Sequence, residues 1–182
     1  LELLDPAVAT FRRLGMDPEA ERATLLAGPG GVEAPHDDRL ETNATSVIFF
    51  TDVVDSTRLT EQLGAAHYRA RARLLENAVT SAIVAHGGTI VPGISLGDGF
   101  IGLFASAPQA IAAARQCVVD VGPTGLHLHL AIHQGELIVD GPRVYGGAVN
   151  FAARVCGVSG PDEILVSAPI RAAAADNPRV LF

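Results

Sequence analysis

Lysine is absent from this chain, and all 13 of its basic residues are arginines. That excludes Schiff-base chemistry within the chain and a Walker-type loop offering an ammonium to phosphate. Only two cysteines occur, Cys117 and Cys156, each among apolar neighbours in an expected helix. Buried free thiols are therefore expected, rather than a disulfide or a metal site. The longest apolar runs fall far short of the ~18 residues that cross a membrane, and no segment reads as a secretory leader. A cytoplasmic domain is expected. The net charge of −7, with no basic cluster, argues against nucleic acid as the main partner. The chain opens on Leu1 rather than Met, which leaves open an upstream regulatory domain or a membrane anchor outside it.

What is present suffices for one core, since 48% of the 182 residues are hydrophobic. Residues 1–28 read as two helical pieces, the second starting at Asp17-Pro18. A polar linker through Gly28-Pro29-Gly30-Gly31 follows, to about residue 44. From there to 182 the texture becomes strands alternating with helices. A strand at 47–54 ends at Asp55-Ser56, which caps a short helix to Leu63-Gly64. A long helix over 66–86 carries Leu74, Leu75, Ala78, Val79, Ala82 and Ile83 at helical spacing. Strands at 89–96 and 100–104 flank Gly97-Asp98-Gly99 as a tight hairpin. A helix at 107–120 leads to alternating Leu126, Leu128, Leu130 and Ile132, and Gly135 turns that strand into another at 136–139. A helix at 147–156, a strand at 164–166 and a helix at 168–175 finish the chain. Hairpins mixed with crossover helices predict an α+β fold, a mostly antiparallel sheet covered by helices, with a helical N-terminal extension.

Two acidic residues stand out. Asp52 closes Val47-Ile48-Phe49-Phe50-Thr51, and Asp98 sits in Leu96-Gly97-Asp98-Gly99-Phe100, 46 positions later. A carboxylate beside so apolar a strand risks desolvation costing several kcal/mol unless a cation or hydrogen bonds compensate. One such Asp reads as a turn residue. Two on neighbouring strands point to a divalent metal.

Four segments in order carry a family resemblance: Phe50-Thr51-Asp52-Val53-Val54-Asp55-Ser56-Thr57, Leu96-Gly97-Asp98-Gly99-Phe100, Ile132-His133-Gln134-Gly135-Glu136 and Tyr145-Gly146-Gly147-Ala148-Val149-Asn150-Phe151-Ala152-Ala153-Arg154. Together they resemble the catalytic domain of class III adenylyl and guanylyl cyclases of the actinobacterial sort, over residues 45–176. The resemblance implies a ferredoxin-like βαββαβ sheet. It implies conversion of ATP, or GTP, to the 3′,5′-cyclic nucleotide and pyrophosphate for second-messenger signalling. Two Mg²⁺ or Mn²⁺ ions would be held by Asp52, Asp98 and the Val53 carbonyl. Amides at the helix start, at Ser56 and Thr57, would meet the phosphates. Asn150 would orient the ribose, and Arg154 would stabilise charge in the transition state. The resemblance further implies a head-to-tail homodimer in which the aspartates and the Asn150–Arg154 pair of each site come from different subunits.

The chain departs from that pattern. Ile94 stands for a purine-reading Lys, Arg143 for its Asp partner, and His129 for a phosphate-contacting Arg. The last hairpin, with its phosphate-binding Lys, is missing after Phe182. Asp55 stands where relatives often have Gly, and a carboxylate there repels triphosphate unless a metal intervenes. Relaxed base choice is one expectation; the alternative is a catalytically weak or inactive regulatory module. His127, His129 and His133 alternate on one strand, but their spread along it argues against a metal cluster of their own.

Overall fold

Val47-Ile48-Phe49-Phe50 lies inside a strand longer than its apolar run. The computed structural model describes residues 42–92, 99–140 and 142–175, and in it β1 spans Thr42–Val53. It starts five residues before the expected point because β4 (Leu128–Asp140) pairs with its whole length, from Thr42↔Val139 to Val53↔Leu128. The expected helices and linker upstream, as far as residue 41, lie outside the described residues. After β1 come α1 (Ser56–Leu63), α2 (Ala65–Ala85), β2 (Thr89–Ile90), β3 (Phe100–Phe104) and α3 (Ala107–Val121). Beyond β4 follow β5 (Arg143–Tyr145), α4 (Gly147–Cys156), β6 (Ile164–Val166) and α5 (Ala168–Ala174).

The sheet runs β2-β3-β1-β4-β5, with β6 on the open flank of β4. The pairings of β1 with β3 and β4, of β2 with β3 and of β4 with β5 are antiparallel; β6 pairs with β4 in parallel. The first four strands therefore lie in the order 2-3-1-4 with a helical crossover on each side, the expected ferredoxin-like arrangement. Side chains alternate across the sheet. Val47, Phe49 and Val53 of β1 join Leu128, Leu130 and Ile132 of β4 in a core shared with α2, α3 and α5. Ile48, Ile101 and Leu137 point the other way, into a second core with Ala148, Val149 and Ala152 of α4.

Two sequence expectations change here. Leu74 is 59% exposed although its neighbours Leu75, Val79, Ala82 and Ile83 are buried. One residue turns a helix by about 100°, which carries Leu74 off the buried stripe. Gly135 makes no turn, and β4 runs straight through it. A Cβ there would lie 2.7 Å from the Ala148 Cβ, so glycine is required by the close approach of α4. We expect Gly135→Ala to cost about 1–3 kcal/mol as α4 is pushed off the sheet. Chemical denaturation of the two proteins measures it, and equal midpoints would show that α4 does not seat on that spot.

Both cysteines are buried and free, as expected. Burial, followed by the nearby Asp120 carboxylate, pushes the Cys117 thiol from an ordinary 9.0 up to about 12. Each folded thiol thus holds its proton more tightly than the unfolded one. The contribution to stability is whole below pH 9 and is lost as pH climbs from 9 towards 12. A thiol dye at pH 8 is expected to label both cysteines only after denaturant is added; prompt labelling of the native protein would contradict this.

Candidate active site at the end of the first strand

Asp52 is the penultimate residue of β1, and the pleat turns it away from the main core towards the face covered by α4. Register sets it opposite His129 of β4. Its Oδ1 accepts the Val53 N–H at 3.0 Å. α4 lies antiparallel over β4: Ala148 meets Gly135, the Phe151 ring lies 4.4 Å from that of His133, and Cys156 comes near Asp52. The Cys156 thiol is pushed up to about 12, first by burial and then by the Asp52 carboxylate. Burial also lowers the pKa of His133, which favours a neutral ring against Phe151.

After Val53 the Val54 N–H donates to the His127 carbonyl at 3.0 Å, and the chain turns into α1. Asp55 takes the left-handed conformation there, with φ 53°. It holds the N-cap position but makes no side-chain capping bond, contrary to the expectation of a cap. Its carboxylate instead meets the Arg58 guanidinium at 3.1 Å. No cap side chain therefore claims the amides that open α1, and they remain suited to an anion.

These elements line an open, shallow cavity of about 520 Å³, within the size range of small-ligand sites. Asp52 and Val53 of β1, Asp55 of the turn, Ser56, Thr57, Arg58 and Glu61 of α1, His129 of β4 and Gly157 line it. The His129 Nδ1 lies 3.4 Å from the Ser159 Oγ. That hydroxyl donates to the Cys156 carbonyl at 2.8 Å and accepts the Leu130 N–H at 3.2 Å. With its proton already placed, the hydroxyl can only accept from His129, so in this contact the ring donates from Nδ1.

Of the residues singled out from sequence, Asp52, Val53, Ser56, Thr57 and His129 thus share one cavity. Asn150 and Arg154 do not line it; both are exposed on α4. Arg143 is exposed on β5, and its guanidinium donates to the Tyr145 oxygen, which pushes its pKa upward. Ile94, Asp98 and the expected hairpin before Gly99 lie outside the described residues. Gly99 itself is described: a Cβ on it would lie 3.1 Å from the Thr51 carbonyl oxygen and 3.6 Å from Asp52 Oδ1. The chain therefore enters β3 directly against the Asp52 carboxylate. The three histidines separate, since His127 pairs with Asp162 at 2.5 Å while His129 and His133 go to the cavity and to Phe151.

Arg58 and Glu61 of the cavity wall were not singled out from sequence. Their signal was available: a spacing of three along α1 brings residues 55, 58 and 61 to neighbouring positions on the helix. Among the described residues no group of three or more His, Cys, Asp or Glu side chains forms a ready metal site. The oxygen donors do fit a hard divalent ion, with Asp52 at the cavity wall and a second carboxylate needed to complete the set. No described helix is long and apolar enough to cross a membrane.

No family model matches the chain. An uncharacterized Mycobacterium tuberculosis protein is 28% identical over 138 residues, 75% of this chain and 36% of the relative. Another from the same species is 29% identical over 133 residues, 71% of this chain and 45% of the relative. The chain thus spans between a third and a half of these relatives. Among solved structures, an adenylate/guanylate cyclase/hydrolase from Silicibacter pomeroyi superposes with TM-score 0.66 at 23% identity, covering 78% of this chain and 85% of that one. The adenylyl cyclase CyaB from P. aeruginosa gives 0.68 at 20% identity, covering 76% and 84%. A guanylyl cyclase domain from the aquatic fungus Blastocladiella emersonii gives 0.67 at 18%, covering 74% and 88%. The chain has the fold of class III adenylate and guanylate cyclase catalytic domains, as its four sequence segments suggested.

Proposed function

We propose that this domain is a nucleotide cyclase that converts ATP, and GTP as a second substrate, to the 3′,5′-cyclic nucleotide and pyrophosphate. The observation that carries the reading is the cavity at the end of β1, where Asp52, His129 and the uncapped start of α1 converge in a cyclase-type fold. Asp52 and the Val53 carbonyl, with Asp98 as the second carboxylate, are the residues that would hold two Mg²⁺ or Mn²⁺ ions. Bound there, such ions would lower the pKa of the ribose 3′-hydroxyl and neutralise the triphosphate. The Ser56 and Thr57 amides orient the phosphates, and His129 Nε2 stands at the wall as a hydrogen-bonding group. Asn150 positions the ribose. Arg154 places its guanidinium against the charge that develops on the transferred phosphorus. Both belong to the other subunit of a head-to-tail homodimer, which accounts for their exposure on α4.

The test is direct. Purified protein is incubated with ATP or GTP and Mn²⁺, and cyclic nucleotide is measured against Asp52→Ala and Asp98→Ala. No product above those controls, from mildly acidic to alkaline pH, would leave a non-catalytic regulatory module as the better reading. The Arg143–Tyr145 contact favours that second reading, because a guanidinium turned to its own strand contributes less to substrate.

Base choice has its own test. Ile94→Lys with Arg143→Asp is expected to shift the ratio of kcat/KM values towards ATP by tenfold or more, on the order of what one hydrogen-bonded substrate group contributes. An unchanged ratio would put both residues outside the purine pocket.

A further inference from the structure

Residues 1–182 carry no lysine, so among the described residues a side-chain cation at this cavity is an arginine or a histidine. Among the lining residues Arg58 is the single arginine, set beside the carboxylates of Asp52, Asp55 and Glu61. It stands in the first turn of α1, where the uncapped amides already favour an anion. Its present partner is Asp55, which approaches at 3.1 Å with both side chains more than half exposed. An exposed pair of this kind is worth little, so the guanidinium can leave it at small cost. Asp55 also occupies a left-handed position that glycine would take without strain.

We propose that Arg58 is a triphosphate-binding residue of this site and that Asp55 is its built-in competitor, occupying the guanidinium until substrate displaces it. A planar guanidinium can grip two phosphate oxygens at once. The Asp55 carboxylate opposes that grip in two ways, by holding Arg58 and by repelling phosphate across the same cavity. The pair thus lowers affinity for nucleotide below what the arginine alone would give, by the fraction of time the guanidinium is held. This inference rests on the cyclase reading for its ligand but not on turnover.

Calorimetry with 3′-deoxy-ATP and Mn²⁺ tests it, since a nucleotide lacking the 3′-hydroxyl binds without cyclising. Arg58→Ala is expected to weaken binding by about tenfold or more, as for a lost hydrogen bond to a charged group. Arg58→Lys should recover only part of it. Asp55→Gly is expected to tighten binding severalfold, and Asp55→Gly with Arg58→Ala should show far less of that gain. Arg73→Ala, an exposed arginine of α2, serves as the control and should bind as the parent does. Equal affinity for Arg58→Ala and parent would overturn the proposal, as would an undiminished gain from Asp55→Gly in the Arg58→Ala background. If the parent forms cyclic nucleotide while Arg58→Ala binds normally, this inference alone fails. If the parent binds 3′-deoxy-ATP through Arg58 but makes no product, the catalytic reading alone fails. No binding by the parent sinks both.

Discussion

Asp52→Ala and Arg154→Ala, each inactive alone, are expected to regain activity when mixed. On the proposed mechanism Asp52 is a metal carboxylate, and losing several kcal/mol of transition-state stabilisation with it lowers the rate by about 10³-fold. On the same proposal Arg154 is the charge directed at the transferred phosphate, and its removal costs about 10²–10³-fold in kcat. Asn150 and Arg154 do not line the cavity that holds Asp52. In the proposed head-to-tail dimer a second copy brings them to it. In a randomly paired mixture half of the dimers combine the two variants, and each such dimer keeps one intact site of two. Recovery of roughly a quarter of the parental rate follows from two-fold symmetry. A mixture no more active than its components would break the shared-site arrangement, even if the parent were a good enzyme.

The second large effect concerns stability. Phe49 is fully buried in β1, the strand that β3 and β4 flank on either side. Its ring meets that of Phe104 edge-on, with centroids 6.2 Å apart and planes at 62°. Gly102 and Ile132 are its register partners. Truncation to alanine empties the centre of the main core, and Phe49→Ala is expected to cost about 3–5 kcal/mol. That is a large share of the ~5–15 kcal/mol that holds a typical domain folded. Urea unfolding followed by circular dichroism measures the difference. A change below about 1 kcal/mol would mean that the core re-forms around the gap.

Much of this architecture is legible in the linear chain because it is local. The stripe Leu75, Val79, Ala82 and Ile83 gives α2, and Ser106-Ala107-Pro108 marks the start of α3. The strands around Asp52 show in their apolar runs. Less legible were features decided by remote neighbours. Gly135 reads as a turn because glycine in a turn and glycine under a helix look the same until Ala148 is known to approach it. Asp55 reads as a cap because Arg58 competes for it only once α1 has wound its first turn. The placement of His129 beside Asp52 depends on the β1–β4 register, which no local pattern encodes. The four motif segments named the correct fold, and Asp52, Val53, Ser56, Thr57 and His129 from them or near them share a cavity. Arg58 escaped notice because a lone arginine on a short helix usually faces water.

The ten-residue helix α4 presents two kinds of chemistry at once. Cys156 faces inward beside Asp52, while Asn150 and Arg154 look outward. Tilting this rod shifts the thiol beside Asp52 and the outward amide and guanidinium in a single movement. A substitution on one face of the rod is therefore felt on the other, because both move as one rigid stretch of helix.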